Sequence, residues 1–263
     1  LSLADPATGL GWKAPFVQVF SMTWKPWHLI AAMSPGQQIV LPDQTLSIDG
    51  TSMKASLELH PNAQLGLYEA RLEAGDLTIG SDLGWKIKAA QLFGSTLETT
   101  PLAHRLGVAV KDLMPDAALM AALRGTDLPP VIEALHLDAT AHISAPLDRS
   151  APETHPKMTA LAIADLRLIW GALQMTAEGE LKAAPNGLAD GEISIKVAGW
   201  RRLPVVLGAL GIIDPQMAPG LERALEVMAT SGADPEVLLL ALKCAGGQMS
   251  LGPFPLGPAP RLN

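Results

Sequence analysis

With one cysteine, Cys244, in 263 residues the chain has no internal disulfide, so packing and backbone hydrogen bonding alone must hold it together. Aromatic residues are scarce, with a single tyrosine, while alanine, leucine and methionine abound. The apolar surface is therefore built of small or flexible side chains, adaptable rather than tightly shaped. No run of lysine or arginine occurs and the formal net charge is −7, so the electrostatic footprint of a protein that tracks phosphate backbones is missing and nucleic acid is not an expected partner. The longest uncharged apolar run, Leu203 to Ile213, falls well short of the about 20 residues a membrane-spanning helix needs. No phosphate-cradling glycine loop, Gly-x-Ser-x-Gly elbow or paired-cysteine metal motif is present. The expectation is a protein without cofactor, metal or catalytic residue.

What the sequence does have is strict alternation. Leu135, Leu137, Ala139, Ala141 and Ile143 interleave with His136, Asp138, Thr140, His142 and Ser144, the period of a strand with one dry and one wet face. Met53, Ala55, Leu57 and Leu59 alternate with Lys54, Ser56, Glu58 and His60. The stretch Leu173, Met175, Ala177, Gly179, Leu181 repeats the pattern against Gln174, Thr176, Glu178, Glu180 and Lys182. The fold class follows: mainly β (α+β), a large curved antiparallel sheet, read as one β-rich domain over 1–263.

Along the chain, residues 12–33 read as two strands with a bend at Lys25-Pro26 and a stop at Ser34-Pro35-Gly36. Strands are then expected over 38–42, 45–49, 52–60, 65–74, 76–80, 84–93 and 104–111, with Asp49-Gly50, Pro61-Asn62, Gly75-Asp76 and Ser81-Asp82 as separators, a meander spacing that leaves no room for parallel crossovers. A short helix is expected near 116–124, capped by Asp116 and ended by Gly125. A strand over 134–144 and an exposed loop over 145–157 follow. Near 201–231 the period changes to helical. An apolar helix over about 202–212 precedes a second one opened by Asp214-Pro215, carrying Met217, Leu221, Ala224, Leu225 and Met228 on one side and ending near Gly232. This inserted helical hairpin precedes last strands over 237–244 and 248–252. One register can be tested: a two-residue turn at Asn186-Gly187 would set Leu181 opposite Glu192, dry face beside wet, so an odd loop or a bulge at Asp190-Gly191 is required.

Three constellations invite chemistry. His136, Asp138 and His142 share a strand face, but His136 and His142 are about 20 Å apart and cannot close on one ion. Glu178, Glu180 and Glu192 fall on the wet face of a hairpin, where solvation accounts for them. Cys244 sits among leucines, a buried and inert thiol. The aromatic residues Trp12, Phe16, Phe20, Trp24 and Trp27 cluster near one end, and of these Trp12, Phe16, Trp24 and Trp27 are the candidate interface.

Two stretches carry a resemblance: Leu10-Gly-Trp-Lys-Ala-Pro-Phe-Val-Gln-Val-Phe with Lys25-Pro26-Trp27-His28-Leu29-Ile30-Ala31, and the ending Ser250-Leu-Gly-Pro-Phe-Pro-Leu-Gly-Pro-Ala-Pro-Arg-Leu. Together they resemble a family of uncharacterised proteobacterial proteins, found mainly in alphaproteobacteria and known as a domain of unknown function. The match extends through Ser81-Asp82-Leu83-Gly84-Trp85, Pro146-Leu147-Asp148-Arg149 and Trp200. It implies an exported, periplasmic domain whose signal or inner-membrane anchor lies ahead of Leu1. The Gly-x-apolar-x-apolar phrases at Gly179, Gly191 and Gly247 are similar to those of the AsmA-like envelope proteins, whose curved sheets offer an apolar concave face to lipid.

The expected function is non-catalytic handling of a lipid or another apolar molecule on the apolar sheet face, at Leu135, Leu137, Ala139, Leu173, Met175, Leu181, Ile193 and Ile195. The alternative is a structural or assembly factor that binds an envelope protein partner by strand addition.

Overall fold

The computed structural model describes residues 2–5, 9–230, 234–252 and 254–262. Among them sixteen strands form one open sheet, and every pairing between named strands is antiparallel. In chain order these are β1 Ser2–Asp5, β2 Leu10–Lys13, β3 Val17–Met22, β4 Lys25–Met33, β5 Gln37–Val40, β6 Thr45–Leu59, β7 Leu67–Ser81, β8 Lys86–Thr100 and β9 Ala103–Met114. After them come β10 Ile132–Ile143, β11 Met158–Trp170, β12 Leu173–Ala183, β13 Ala189–Ala198, β14 Val237–Ala245, β15 Gln248–Leu251 and β16 Phe254–Pro258. From β5 to β16 each strand pairs with its successor, a meander in which the helices are inserted between β9 and β10, β10 and β11, and β13 and β14. On its other edge from β7, the long strand β6 pairs with β5 along its first part and with β4 along its second, and among the described residues β3 pairs with β4 alone.

Four α-helices accompany the sheet among the described residues: α1 Ala117–Ala122, α2 Ala151–Thr154, α3 Leu203–Ala209 and α4 Ala218–Thr230. Asp116 caps α1 as expected, its carboxylate accepting from the Ala118 amide at 2.8 Å. The helical hairpin stands where the change of period places it, although α3 ends at Ala209, short of 212, and Gly211 turns the chain with φ 70°. Gly232, the expected end of α4, lies outside the described residues, and the helix runs to Thr230. Within the 145–157 stretch, expected as loop throughout, α2 forms a single turn.

Three separators in the sequence are not turns. Asp49-Gly50 and Gly75-Asp76 lie inside β6 and β7, and Lys25-Pro26 opens β4, with the chain reversing at Thr23-Trp24 instead. Residues that tolerate a left-handed backbone serve bulges as readily as turns. Ser52, Asp76 and Asp112 adopt φ 51°, 44° and 51°, and the pairing of β6 with β7 slips on either side of Thr51, whose hydroxyl meets the Asp76 carboxylate at 3.0 Å. These irregularities restore the dry side: Ile48 precedes and Met53 follows, just as Leu77 follows Ala74, and these apolar residues pack as one cluster. Strands therefore run longer than expected, β8 to Thr100 and β9 to Met114.

The register at 181–191 is solved by loop length. Ala183 faces Ala189 across a five-residue connection, so Leu181 faces Gly191 and Ala177 faces Ile195 with no slip. Gly191 and its diagonal neighbour across the ladder, Gly179, adopt φ 139° and 150°, where a Cβ would lie 2.2 and 2.3 Å from the carbonyl oxygens of Glu180 and Glu192. Only glycine fits there.

Candidate ligand-binding face

Cross-strand pairs join into lateral rows, and one row runs without interruption across eleven strands: Val19, Ala31, Ala55, Leu72, Gly94, Val108, Leu137, Leu166, Ala177, Ile195, Leu240. At about 4.8 Å per strand it spans roughly 48 Å with no polar side chain. A parallel row through Ala74, Leu92, Val110, Leu135, Leu168, Met175, Val197 and Leu238 is equally apolar. Together they form one continuous oily stripe on one side of the sheet.

Cover along this stripe is graded. Exposure falls from 60% at Val19 and 39% at Leu72 to 7% at Ala177 and 5% at Leu240. The helices are the cause. Val206 of α3 and Leu221 and Leu225 of α4 pack with Trp170, Leu173, Val197, Trp200, Leu238 and Leu251, so the hairpin sits on β12–β15 and leaves β6–β8 and all but the end of β9 bare, where Leu113 joins the cluster. Arg202 clamps the hairpin to the segment after α1 through a bidentate ion pair with Asp127, whose carboxyl is held below its ordinary range by that guanidinium. A second cover has no counterpart in the sequence pattern. The chain end returns beneath β12–β14, with the Leu262 amide donating to the Gly187 carbonyl and Ala259 and Leu262 packing on Ala177, Leu181, Ile193 and Cys244.

Between α3 and the sheet a cavity of about 240 Å3 is lined only by apolar residues, among them Met175, Ile195, Leu207, Leu240 and Leu256. A second of about 220 Å3 lies under the start of α4 and shares Leu207, Leu251 and Leu256 with the first. Jointly they reach the lower end of the roughly 300–1,000 Å3 typical of ligand pockets. A third apolar hollow, about 170 Å3 between Leu77, Ile79, Ile87, Leu92, Val110 and Leu113, lies on the bare half.

The expected ligand residues all fall on this side of the sheet but in three settings. Met175 and Ile195 line the larger apolar cavity. Leu135 and Leu137 are half-buried along the stripe. Ala139, Leu173, Leu181 and Ile193 are buried, at 0, 2, 6 and 8% exposure, and Leu173, Leu181 and Ile193 belong to the packed clusters. The further cavity residues Leu203, Leu207, Ile212 and Leu256 carry no signal in the sequence, because their role depends on where the hairpin lands, which no local pattern states.

The opposite side of the sheet is polar and also hollow. A depression of about 870 Å3 is lined by β11–β14 alone, including Asp165, Arg167, Thr176, Glu178, Ser194 and Lys196, so the strands themselves bow around it. Here lie the charged residues singled out from the sequence. Asp138 is held by the Arg105 guanidinium, which lowers its carboxyl, and His136 stands 3.8 Å from Asp165. Glu180 directly faces Glu192, a repulsive pairing offset by Lys182 on Glu180 at 3.3 Å and by Lys243 opposite Glu192. Among the described residues no group of three or more His, Cys, Asp or Glu side chains converges as for a metal ion. Cys244 is 1% exposed and burial pushes its thiol upward.

The aromatic cluster divides. Trp12, on β2, is half-buried with its indole N–H donating to Gln37 at 2.9 Å. Trp27 is half-buried on β4, whereas Phe16, Phe20 and Trp24 are exposed.

An open, sixteen-strand antiparallel sheet with one oily side, half of it roofed by helices, defines the class of protein. Residues 1–260 match the family described as uncharacterized protein conserved in bacteria (DUF2125), and the chain belongs to it. No curated protein and no solved structure matches it.

Proposed function

We propose that this is a non-catalytic component of the bacterial cell envelope that holds a lipid or another apolar molecule against the apolar side of its sheet. It works in the periplasm, held at the inner membrane, after the manner of the AsmA-like envelope proteins. The observation that carries the reading is the graded stripe: an unbroken apolar row that leads from exposed strands into two adjoining apolar cavities under the helical hairpin. Leaving such a surface in water is costly, since each large aliphatic side chain gains roughly 1.5–3 kcal/mol on full burial. A contiguous patch of this extent marks a binding surface. A flexible chain of methylene groups suits it, because the lining leucines, isoleucines and methionines offer no fixed hydrogen-bonding geometry. The envelope location rests on the bacterial family and the resemblance to exported proteins.

The test is native mass spectrometry of protein purified without detergent, followed by uptake of a fluorescent fatty acid. A lipid-sized adduct, and uptake weakened by Ile195→Trp, which fills the larger cavity, are expected. Protein that arrives free of lipid and takes up no fatty acid overturns the reading, as does a stoichiometric protein partner seated on the stripe.

A further inference from the structure

The β3–β4 hairpin does not follow the oily-inside, polar-outside rule of the rest of the sheet. On β3 and β4, Val19 pairs with Ala31 on the apolar side of the sheet, while Phe20 pairs with Ile30 on the opposite side. Trp24 stands at the tip, and Val19, Phe20, Trp24 and Ile30 are 60, 54, 76 and 39% exposed. From Ala14 to Met33 the only formal charge is Lys25, and its ammonium is spent on Glu58 of β6 at 2.7 Å. An element that exposes large apolar side chains on both sides and at its end is not shaped for a protein groove, which covers one side. It is shaped for a medium that surrounds it.

We infer that the β3–β4 hairpin docks this protein onto a lipid bilayer, dipping into the interfacial layer. Three features set the depth. The six residues of β3 are fewer than the about 9–11 that a spanning strand requires. The outer edge of β3 pairs with nothing among the described residues, and unpaired backbone groups are not tolerated in the hydrocarbon core, so that edge stays at headgroup level. Trp24 supplies the amphipathic ring that prefers this layer. The attraction is apolar rather than ionic, because the net charge is −7 and the hairpin offers no uncommitted cation. The inference stands apart from the lipid cargo proposed above: a protein can dock through this hairpin whatever its sheet carries.

The experiment is flotation of the whole chain with vesicles of phosphatidylethanolamine and phosphatidylglycerol, at low and high salt. Wild-type protein is expected to float at both, with bound fraction insensitive to salt. The double variant Phe20→Ser, Trp24→Ser is expected to partition at least roughly tenfold more weakly, because two large side chains no longer leave water. Both positions are exposed, so thermal unfolding of the variant should match wild type, and Leu239→Ser, at a site 72% exposed on the polar side of β14, should float as wild type does. Three results would overturn the inference: no flotation, flotation that the double variant retains, or a lipid-free dimer in light scattering that the double variant abolishes. The last would make the hairpin a self-association element instead. A failure here with fatty acid still taken up leaves the cargo reading standing, and the reverse holds equally.

Discussion

The two halves of the sheet are made from the same alternating text and meet opposite fates. In β12–β14 the dry side is roofed: Leu173, Val197, Leu238 and Cys244 are each no more than 2% exposed. In β4–β9 the row positions Ala55, Leu72, Leu92 and Val108 stay half open, and the few buried residues there, such as Met53, Ala74 and Leu77, are shielded by neighbours on the sheet itself. The difference is supply of cover. All the sizeable helices and the returning chain end go to one half. Within one sheet the covered half thereby provides the packed core and the two apolar cavities under the hairpin, and the bare half an accessible apolar surface that leads to them.

The comparison breaks most visibly by truncation. Leu225, fully buried in α4 against the sheet, is expected to cost about 2–5 kcal/mol as Leu225→Ala, and the equivalent Leu72→Ala in the bare half about 1 kcal/mol or less. Urea unfolding monitored by circular dichroism measures both. Equal losses would mean that the bare half is covered in solution, by ligand or by a second copy.

Glycines sharpen the contrast at smaller scale. Gly179→Ala or Gly191→Ala is expected to lose about 1–3 kcal/mol, because the new methyl meets a backbone carbonyl oxygen in a conformation that other residues avoid. Gly94→Ala on β8 meets nothing nearer than the Leu72 Cβ at 4.0 Å, and a gain of about 0.4–1 kcal/mol through the unfolded chain is expected. The same unfolding measurement distinguishes the signs.

How much of this is legible in the sequence follows from which forces are local. Alternation is local, so the side on which Leu135, Leu137 and Ala139 lie can be read directly, as can the cap at Asp116 and the odd loop between Ala183 and Ala189. The chemistry of Asp49-Gly50 and Gly75-Asp76 is also local, but it specifies a left-handed backbone and not its use, so two bulges look like two turns. The lateral rows depend on register summed over eleven strands, and the aromatic cluster is split by strand partners that sequence proximity hides. Trp12 goes with Gln37 across β2 and β5, while Phe20 and Trp24 go with a free edge.

A subtler asymmetry concerns a polar group on the dry side. His104 of β9 faces Ala141 and, on its other flank, Glu98; it is 3% exposed and its Nδ1 has no hydrogen-bond partner among the described residues. Burial pushes its pKa below the ordinary value of 6.5, with the Glu98 carboxylate opposing the shift, while His60 across the cluster is paired with that same carboxylate. As pH falls, the unfolded chain therefore binds the proton first, so stability is full above about 6.5 and declines as pH drops from there toward the depressed folded value. His104→Phe removes both the unsatisfied nitrogen and the proton. Its midpoint is expected to match or exceed wild type at neutral pH and to fall less between about pH 7 and pH 5, values that bracket the ordinary imidazole range of about 6.5. Thermal unfolding of the two proteins across that interval is the check. Parallel curves would show that the buried ring takes up its proton without penalty, and that water or the Glu98 carboxylate reaches this end of the apolar side after all.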